Sequence, residues 1–592
     1  MKKLLTISLA IILTMAFCFN LKSPIPKSRA QGGGDSRDVI SPTTYITEDQ
    51  AHARLFKYDN TNFTNISAAN QNISPEVNAV AWSGTYWAMA ARGRLWRYSG
   101  TGTTVTEVVT PDPSPTPTDN IYPYATIASN GAGAAGKWLA GTLMSGRSMY
   151  YNGADTPSAY NLANSTLTAD VDADPATIIL PVQVGEGARF KAGDVVQVGM
   201  EYCLVGSVLN DDLTVTRGYN STPEPHSSTQ EVKIAVADIV SVDWDVVNRW
   251  LVAGLTPDFS THLFATSANN TSTDLGLIGV SQAKGDYRVG DHLYYLVGGT
   301  TVNGSASMLF SYDNNITFDD ITDQIPLMAQ SVSVITGGDT NWLVGGAGTK
   351  ILYNISKPGA DFTGTAITTP PELTSVTAIG YQSGNNWLIG GKNSAGKAKL
   401  YSYDENDFTD LTASMQTETQ AAITTINSIV WNGSYWLIGG AGEFNVSPEV
   451  GGSVAAPDSE GNPGNNAKVA FTAGTVDHDS SVRVSETTGI ATDSSLKSAG
   501  TVYNFTCQDL VSNNSVTQFD KSATINLRYD STKLGDLPES SLSIYYYNEA
   551  TSVWLPVSGG TIDSVNKTIT AGVNHFTKFG VFARSSLPYT GK

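Results

Sequence analysis

WNGSYWLIGGAG, residues 431–442, contains a motif that recurs along the chain: an aromatic residue, two aliphatic residues and a small pair, usually Gly-Gly. Successive anchors of this motif are 51, 112, 45, 47, 45 and 49 residues apart. All intervals except the second fit the roughly 40–50 residues of one four-stranded propeller blade. The seven aromatic anchors are Trp87, Trp138, Trp250, Tyr295, Trp342, Trp387 and Trp436.

The unbroken apolar run after each anchor is typical of a strand that is covered on both faces, as in the inner strands of stacked blades. The last repeat lacks its second half, LYxYD, whereas RLFKYDNTNFTNIS at 54–67 has this half without an anchor before it. The two halves together close a ring and leave no open sheet edge. We therefore predict an all-β chain with a seven-bladed β-propeller over about residues 45–450, which resembles Kelch-like and sialidase-like propellers in plan.

The long second interval contains an insertion, predicted as a small β module over residues 172–236. It resembles a module of phage virion proteins that repeats a Gly-Asp-Val start, a Glu, a Thr-Arg-Gly turn, a Thr and a His. Glu201, Arg217 and His226 of this pattern form either a ligand site or, as we favour, a structural polar network. The matching positions are Gly193, Asp194, Glu201, Thr216, Arg217, Gly218, Thr222 and His226.

Composition limits the classes of function. The formal charge of -19 argues against nucleic-acid binding, which needs clustered Lys and Arg. Lys2 and Lys3 precede an apolar run and a polar end, which predicts a signal peptide over residues 1–30 and no membrane span in the mature chain. Cys203 and Cys507 then remain in different modules, so we expect no disulfide and no Cys-based metal site, and no motif indicates a cofactor.

Residues 447–466 are rich in Gly, Pro, Ser and Asn and are predicted to be a linker. Residues 467–585 show regularly spaced strands, the pattern of a β-sandwich. Their ending resembles ZU5 and GAIN-type sandwiches, some of which cut their own chain. The resemblance implies that His575 takes the proton of the Thr577 hydroxyl as that oxygen attacks the Phe576 carbonyl. The alternative is an ordinary last strand with Phe576 inward and Thr577 outward.

The tail, residues 586–592, contains Leu587-Pro588-Tyr589-Thr590-Gly591, which matches the Leu-Pro-any-Thr-Gly pattern of sortase substrates. The resemblance implies that a sortase-type transpeptidase cuts after Thr590 and joins Thr590 to the cell wall. The apolar run and basic tail that normally follow such a motif do not follow here, so either the sequence continues beyond Lys592, as we favour, or the match arises by chance.

The sequence thus predicts a secreted, wall-attached bacterial surface protein whose propeller binds a glycan or protein ligand through its loops. A sialidase-like enzyme is disfavoured because residues 331–446 contain no Arg to hold a carboxylate. Two alternatives stay open. One is an extracellular polysaccharide-degrading enzyme, which needs paired carboxylates near the channel. The other is a passive component of a surface layer.

Overall fold

The computed structural model describes most of the chain from residue 51 to residue 584. The chain is almost entirely β, in keeping with its Gly, Ser, Thr and Tyr content. Among the described residues, no helix has the length and apolar character needed to cross a membrane. The described ranges are 51–67, 76–91, 94–108, 124–130, 137–142, 148–151, 158–160, 162–236, 238–244, 249–257, 261–267, 271–278, 280–289, 292–300, 307–313, 318–324, 331–357, 361–419, 421–444, 446–457, 463–487, 495–512 and 514–584.

Within these ranges the repeats fold into five separate four-stranded antiparallel sheets and one eight-stranded sheet, in which the pair Ala347–Ser375 joins two further four-stranded units; we call the seven units blades 1–7. The first strand of each blade contacts the first strand of the next, and the first strand of blade 7 contacts that of blade 1. The strands therefore form a closed ring, and the predicted propeller fold is confirmed. Blades 1–6 comprise Val77–Trp82, Trp87–Ala91, Arg94–Tyr98 and Val105–Val108; Tyr124–Ser129, Trp138–Thr142, Ser148–Tyr151 and Ser158–Tyr160; Asp238–Trp244, Trp250–Leu255, Thr261–Thr266 and Thr273–Ile278; Val280–Val289, His292–Thr300, Ser307–Asp313 and Phe318–Asp320; Ser331–Gly337, Trp342–Ala347, Leu352–Ser356 and Thr363–Ala366; Ser375–Gln382, Asn386–Lys392, Ala398–Tyr403 and Phe408–Asp410.

Blade 7 joins the two ends of the propeller sequence. Its inner strands are Thr425–Trp431 and Trp436–Glu443, and its outer strands are Ala51–Tyr58 and Phe63–Asn65. The Trp436 Nε1 donates a hydrogen bond of 2.8 Å to the Asn60 side chain. The N-terminal half repeat thus completes the blade whose own second half is missing.

The recurring glycines follow from close packing between blades. A Cβ placed on Gly439 of blade 7 would lie 2.6 Å from Val77 Cγ1 of blade 1, and one on Gly390 of blade 6 would lie 2.6 Å from Ile426 Cγ2 of blade 7. Contacts this short are not tolerated, so Gly439 and Gly390, each the first residue of its small pair, have room for hydrogen only. The same relation to the next blade holds for Gly141, Gly298 and Gly345.

Polar side chains join the first strands around the ring. The Thr377 hydroxyl of blade 6 donates to the carbonyl of Ile426 on blade 7 at 2.6 Å. The Asn427 amide of blade 7 in turn donates to the carbonyl of Val77 on blade 1 at 3.1 Å. Each first strand also carries a β-bulge near its start, such as that between Val77 and Ala79. The bulges leave backbone groups outside the blade ladders, and these side chains satisfy some of them.

The insertion between blades 2 and 3 is a six-stranded barrel, which we call the inserted barrel. Its strands pair in one sheet, and a bridge between Leu167 and Val182 joins the two edges of that sheet. The barrel begins at Asn164, earlier than the predicted 172, because its first strand closes the sheet. Its strands are Asn164–Thr166, Ile179–Pro181, Val195–Val198, Glu201–Leu209, Asp212–Thr216 and Glu231–Ile234.

The C-terminal unit is a two-sheet sandwich with one shared apolar core. The linker predicted for 447–466 is wrong in part, because Gly452–Pro457 is an edge strand whose Val454 is buried in that core. This unit also contains the segments 413–423 and 442–450, which lie within the range predicted for the propeller. One sheet contains Gly452–Pro457, Pro463–Phe471, Gln518–Arg528, Thr568–His575 and Thr561–Asp563; the other contains Ser480–Thr487, Val502–Asp509, Lys578–Arg584, Leu542–Asn548, Val553–Pro556 and Leu496–Ser498.

The helices are short. The α-helix is Thr412–Thr419, and four 3-10 turns occur in the described residues, at Gly187–Arg189, Thr322–Gln324, Ser531–Leu534 and Glu539–Ser541.

Candidate functional site

The seven aromatic anchors hold neighbouring blades together. Each lies within the first four residues of the second strand of its blade and is buried. The Trp87 Nε1 of blade 1 donates to the Tyr435 hydroxyl in the first turn of blade 7 at 2.8 Å. Trp138 of blade 2 makes an edge contact with Tyr86, in the corresponding turn of blade 1. The Tyr295 hydroxyl of blade 4 bonds to the Trp244 carbonyl of blade 3. The anchors are therefore unavailable to a ligand.

A second set of aromatic residues lies opposite the anchors and is only partly buried. Trp82 and Trp431 end the first strands of blades 1 and 7, and Tyr381 is the last residue but one of the first strand of blade 6. Their ring centroids lie 5.0, 5.0 and 4.4 Å from those of Trp87, Trp436 and Trp387, the anchors paired across the hairpin. Because these three blades are consecutive in the ring, the three residues form an arc on one propeller face. We call Trp82, Trp431 and Tyr381 the aromatic arc.

The arc ends where the neighbouring blades lack an aromatic residue. The position opposite the anchor is Ser129 in blade 2 and Gly337 in blade 5. Trp244 occupies this position in blade 3, so it is separated from the arc by blade 2. The sequence signal for these residues is an aromatic residue five or six positions before an anchor. This signal is weaker than the pattern of the buried anchors, so the repeat alone does not predict the arc.

Neutral polar groups accompany the arc. The Asn60 amide of blade 7 donates to the Gln382 side-chain oxygen of blade 6 at 3.0 Å; Gln382 ends the first strand of blade 6, and Asn60 lies in the turn after the strand Ala51–Tyr58. The Asn432 side chain accepts bonds from the backbone of Ser434 and Tyr435. Aromatic faces beside amides form a surface that can stack apolar ring faces and hydrogen-bond hydroxyl groups.

The Glu201–Arg217–His226 set predicted in the insertion is a buried polar network. The side chains of Glu201 and Arg217 are fully buried and joined by two hydrogen bonds of 2.6 Å. The His226 Nε2 lies 2.8 Å from Glu201 Oε2, and the backbone N–H groups of Gly218 and Glu224 donate to the same carboxylate. All accessible positions on the carboxylate are thus occupied by the protein.

The pKa of Glu201 shows the balance within this network. Burial alone would raise it, but the bonds from Arg217, from the Glu224 and Gly218 backbone and from His226 lower it to about 2. The carboxylate is therefore charged at neutral pH and fully paired. This geometry agrees with the structural polar network predicted for these residues.

Asp194, which begins the same motif, has the opposite environment. Burial raises its pKa to about 6, although the Lys191 backbone N–H donates to the carboxylate. Because the folded pKa of Asp194 is above the ordinary value of 3.8, the protonated carboxyl group contributes its full stabilisation to the fold below pH 3.8. This stabilisation is lost as the pH rises through 6.

We expect Asp194→Asn to become more stable relative to the native sequence as the pH rises. The difference in the free energy of unfolding should increase by about 2 kcal/mol between pH 4 and pH 8, because the buried charge is absent from the amide. Urea unfolding of both proteins at the two pH values measures it. Asp212→Asn, at an exposed position of the inserted barrel, is the control and should show little change. An equal effect of Asp194→Asn at both pH values would contradict the prediction.

The residues of the hypothetical self-cleavage site lie at the end of one sandwich strand. The Thr577 hydroxyl donates to the Tyr547 carbonyl at 2.8 Å, and the Phe576 ring lies 4.7 Å from that of Phe519 in the core. The His575 ring makes an edge contact with Tyr546, and burial lowers its pKa. The hydroxyl proton is thus directed at Tyr547, which suits the alternative of an ordinary strand. Self-cleavage stays a prediction.

The remaining predictions concern the two ends of the chain, the cysteines and metal binding. The signal peptide and the residues Leu587 to Gly591 lie outside the described residues. Cys203 and Cys507 are both free thiols, and both are buried. Within the ranges that the structure describes, no group of three or more His, Cys, Asp or Glu side chains is arranged to hold a metal ion.

No family model matches the sequence, and no curated protein is similar to it. Solved structures are similar in fold at low identity. They include YCF48 bound to a D1 peptide (TM-score 0.36, 9% identity, 68% of this chain and 97% of that one). A chain of the mitotic checkpoint complex (TM-score 0.34, 10% identity, 72% and 99%) and a protein from Lactobacillus plantarum (0.33, 12%, 61% and 95%) are two others. Likenesses at this level give no information on ligand or activity.

Proposed function

We propose that the propeller is a binding module and that the aromatic arc is where its ligand lies. The arc is the observation that carries this proposal. Trp82, Trp431 and Tyr381 are held rigidly by buried anchors, so little side-chain entropy is lost when a ligand covers them. Tyr and Trp residues in such settings contribute much of the binding energy of an interface.

A glycan is the ligand class that suits the arc best. The side chains beside it include the amides of Asn60, Gln382 and Asn432, which bond to hydroxyl groups without requiring a charge, and the carboxylate of Asp339, which interacts with Tyr381. The aromatic faces would pack against the C–H faces of sugar rings. A protein ligand is the alternative, since aromatic anchors also serve protein interfaces.

The proposed setting is the bacterial cell surface. Its support is in the sequence alone: the N-terminal signal pattern and the Leu587 to Gly591 pentapeptide. In this proposal a sortase-type transpeptidase joins Thr590 to the wall, which leaves the propeller displayed outside the cell. Mass spectrometry of wall fragments from a producing cell tests this, and a chain that is recovered whole from the medium would contradict it.

We expect Trp431→Leu to weaken glycan binding about tenfold or more, because one stacking surface in the centre of the arc is lost. Binding of the secreted protein to a broad glycan panel identifies the ligand, and calorimetry of the variants then gives the affinities. Trp244→Leu is the matched control, since Trp244 is partly buried at the equivalent position of blade 3. Equal affinities for both variants and the native sequence would place the ligand elsewhere, and a panel without any ligand would overturn the glycan proposal.

A further inference from the structure

The inserted barrel exposes most of the large apolar side chains at the protein surface. Of the eight exposed large hydrophobic residues in the described part of the chain, five lie between residues 178 and 209. Val184 and Leu209 are 89% and 71% exposed. The other three, Val450, Val553 and Val565, belong to the C-terminal unit. Such a concentration within one short segment is typical of an interaction surface.

Strand register places two of the five apolar residues on one outer face of the barrel, and a third lies in the adjoining turn. Ile179 is outward on the strand Ile179–Pro181, which pairs with Asp212–Thr216, and Leu209 is outward on the next strand, opposite Asp212. Val184 lies in the turn that follows Pro181. The Asp211 side chain fixes this turn to the hairpin tip by accepting bonds from the backbone of Gly185 and Gly187. We call Ile179, Val184 and Leu209 the apolar patch.

The charges near the apolar patch are negative. Asp212 lies between its strands, and Asp172 and Asp174 lie in the turn just before Ile178; all three are exposed. The basic residues nearby are engaged elsewhere: Arg189 pairs with Glu186, and the Lys191 ammonium bonds to the Asp274 carbonyl. Among the described residues these carboxylates form no ion pair with a basic side chain, although Asp172 and Asp174 accept hydrogen bonds within their own turn.

We propose that the apolar patch docks a basic segment of another protein, with aliphatic side chains on Val184 and Leu209 and Lys or Arg opposite Asp212. Charge complementarity selects this occupant. A second copy of the same chain carries a formal charge of -19 and would be repelled, and an anionic lipid surface would be repelled in the same way. This surface lies on the inserted barrel, away from the aromatic arc, so the two sites are independent.

The test uses the full chain and two amphipathic peptides, one of leucine and lysine and one of leucine and glutamate. Fluorescence anisotropy should show saturable binding of the lysine peptide and none of the glutamate peptide. Leu209→Ser should weaken binding at least tenfold and Asp212→Asn several-fold. Val553→Ser, at an exposed valine of the C-terminal unit, is the matched control and should leave the affinity unchanged.

Each other outcome would overturn the proposal. Equal binding of both peptides would indicate an apolar surface that binds without regard to the charge of its partner. Dimers of the native protein that Leu209→Ser abolishes would indicate a second copy as the occupant, and binding to vesicles of anionic lipid that Leu209→Ser abolishes would indicate a membrane. An unchanged affinity of Leu209→Ser would place the peptide elsewhere. Because all the substituted side chains are exposed, urea unfolding should show the same midpoint for every variant.

Discussion

Glu201→Gln is expected to destabilise the inserted barrel by about 3–5 kcal/mol, since it leaves the buried Arg217 guanidinium without its counter-charge. The amide also presents an N–H group where the backbone N–H of Gly218 or Glu224 now donates, so at least one buried donor loses its acceptor. Urea unfolding of the chain, monitored by protease sensitivity of the barrel, measures the loss.

Two further variants make this prediction specific. Glu231→Gln removes a half-exposed partner of Lys233 in the same barrel and should cost less than about 1 kcal/mol. Replacing Glu201 and Arg217 together with Met should be less harmful than Glu201→Gln, because no uncompensated charge is then buried. A Glu201→Gln barrel as stable as the native one would show that Arg217 finds another partner.

The same network predicts a dependence on acid. The folded pKa of Glu201, about 2, is below the ordinary value of 4.5, so its contribution to stability is present above pH 4.5 and is lost as the pH falls toward 2. The difference in the free energy of unfolding between the native sequence and Glu201→Gln should therefore decrease as the pH falls from 4.5 toward 2.

Trp87→Ala should destabilise the propeller by about 3–5 kcal/mol. The side chain is fully buried at the junction of blades 1 and 7, and its removal leaves a cavity there. The Tyr435 hydroxyl also loses the donor that now lies at 2.8 Å, although it keeps its own bond to the Gly100 carbonyl. Far-ultraviolet circular dichroism during urea unfolding measures the effect without relying on tryptophan fluorescence.

Trp87→Phe separates the two contributions. It retains an aromatic ring but not the N–H donor, so its stability should fall between those of Trp87→Ala and the native sequence. If Trp87→Ala unfolded at the native urea concentration, the junction would not depend on this contact, and the role assigned to the anchors would be wrong.

The repeat could be predicted from the sequence because its cause is local and recurrent. The anchor rings pack between blades, as Trp436 does against Gly380 of blade 6, and five of the seven blades have a glycine, such as Gly439, close to the next blade, so both positions leave a periodic record. The strand Gly452–Pro457 left no such record. Its composition is that of a loop, and it is a strand because pairing with Pro463–Phe471 and burial of Val454 outweigh local preference.

Individual residues of the candidate sites could be predicted from the sequence, but their arrangement in the fold could not. Trp82, Trp431 and Tyr381 are separated by long stretches of sequence, and only ring closure makes their blades consecutive. Glu201, Arg217 and His226 were found as a set, but whether they face a ligand or one another depends on burial. The fully buried side chains of Glu201 and Arg217 show that they face one another.

Closure of the ring by the two ends of the propeller sequence has a kinetic consequence. Asn60 and its partner Trp436 are 376 residues apart, so the strand made first must wait until nearly the whole propeller has been synthesised. Contacts of such long range slow folding, and an unpaired strand edge invites aggregation in the meantime. Chaperones that delay folding until the last blade has been synthesised would therefore raise the yield of folded protein more than conditions that only stabilise the native state.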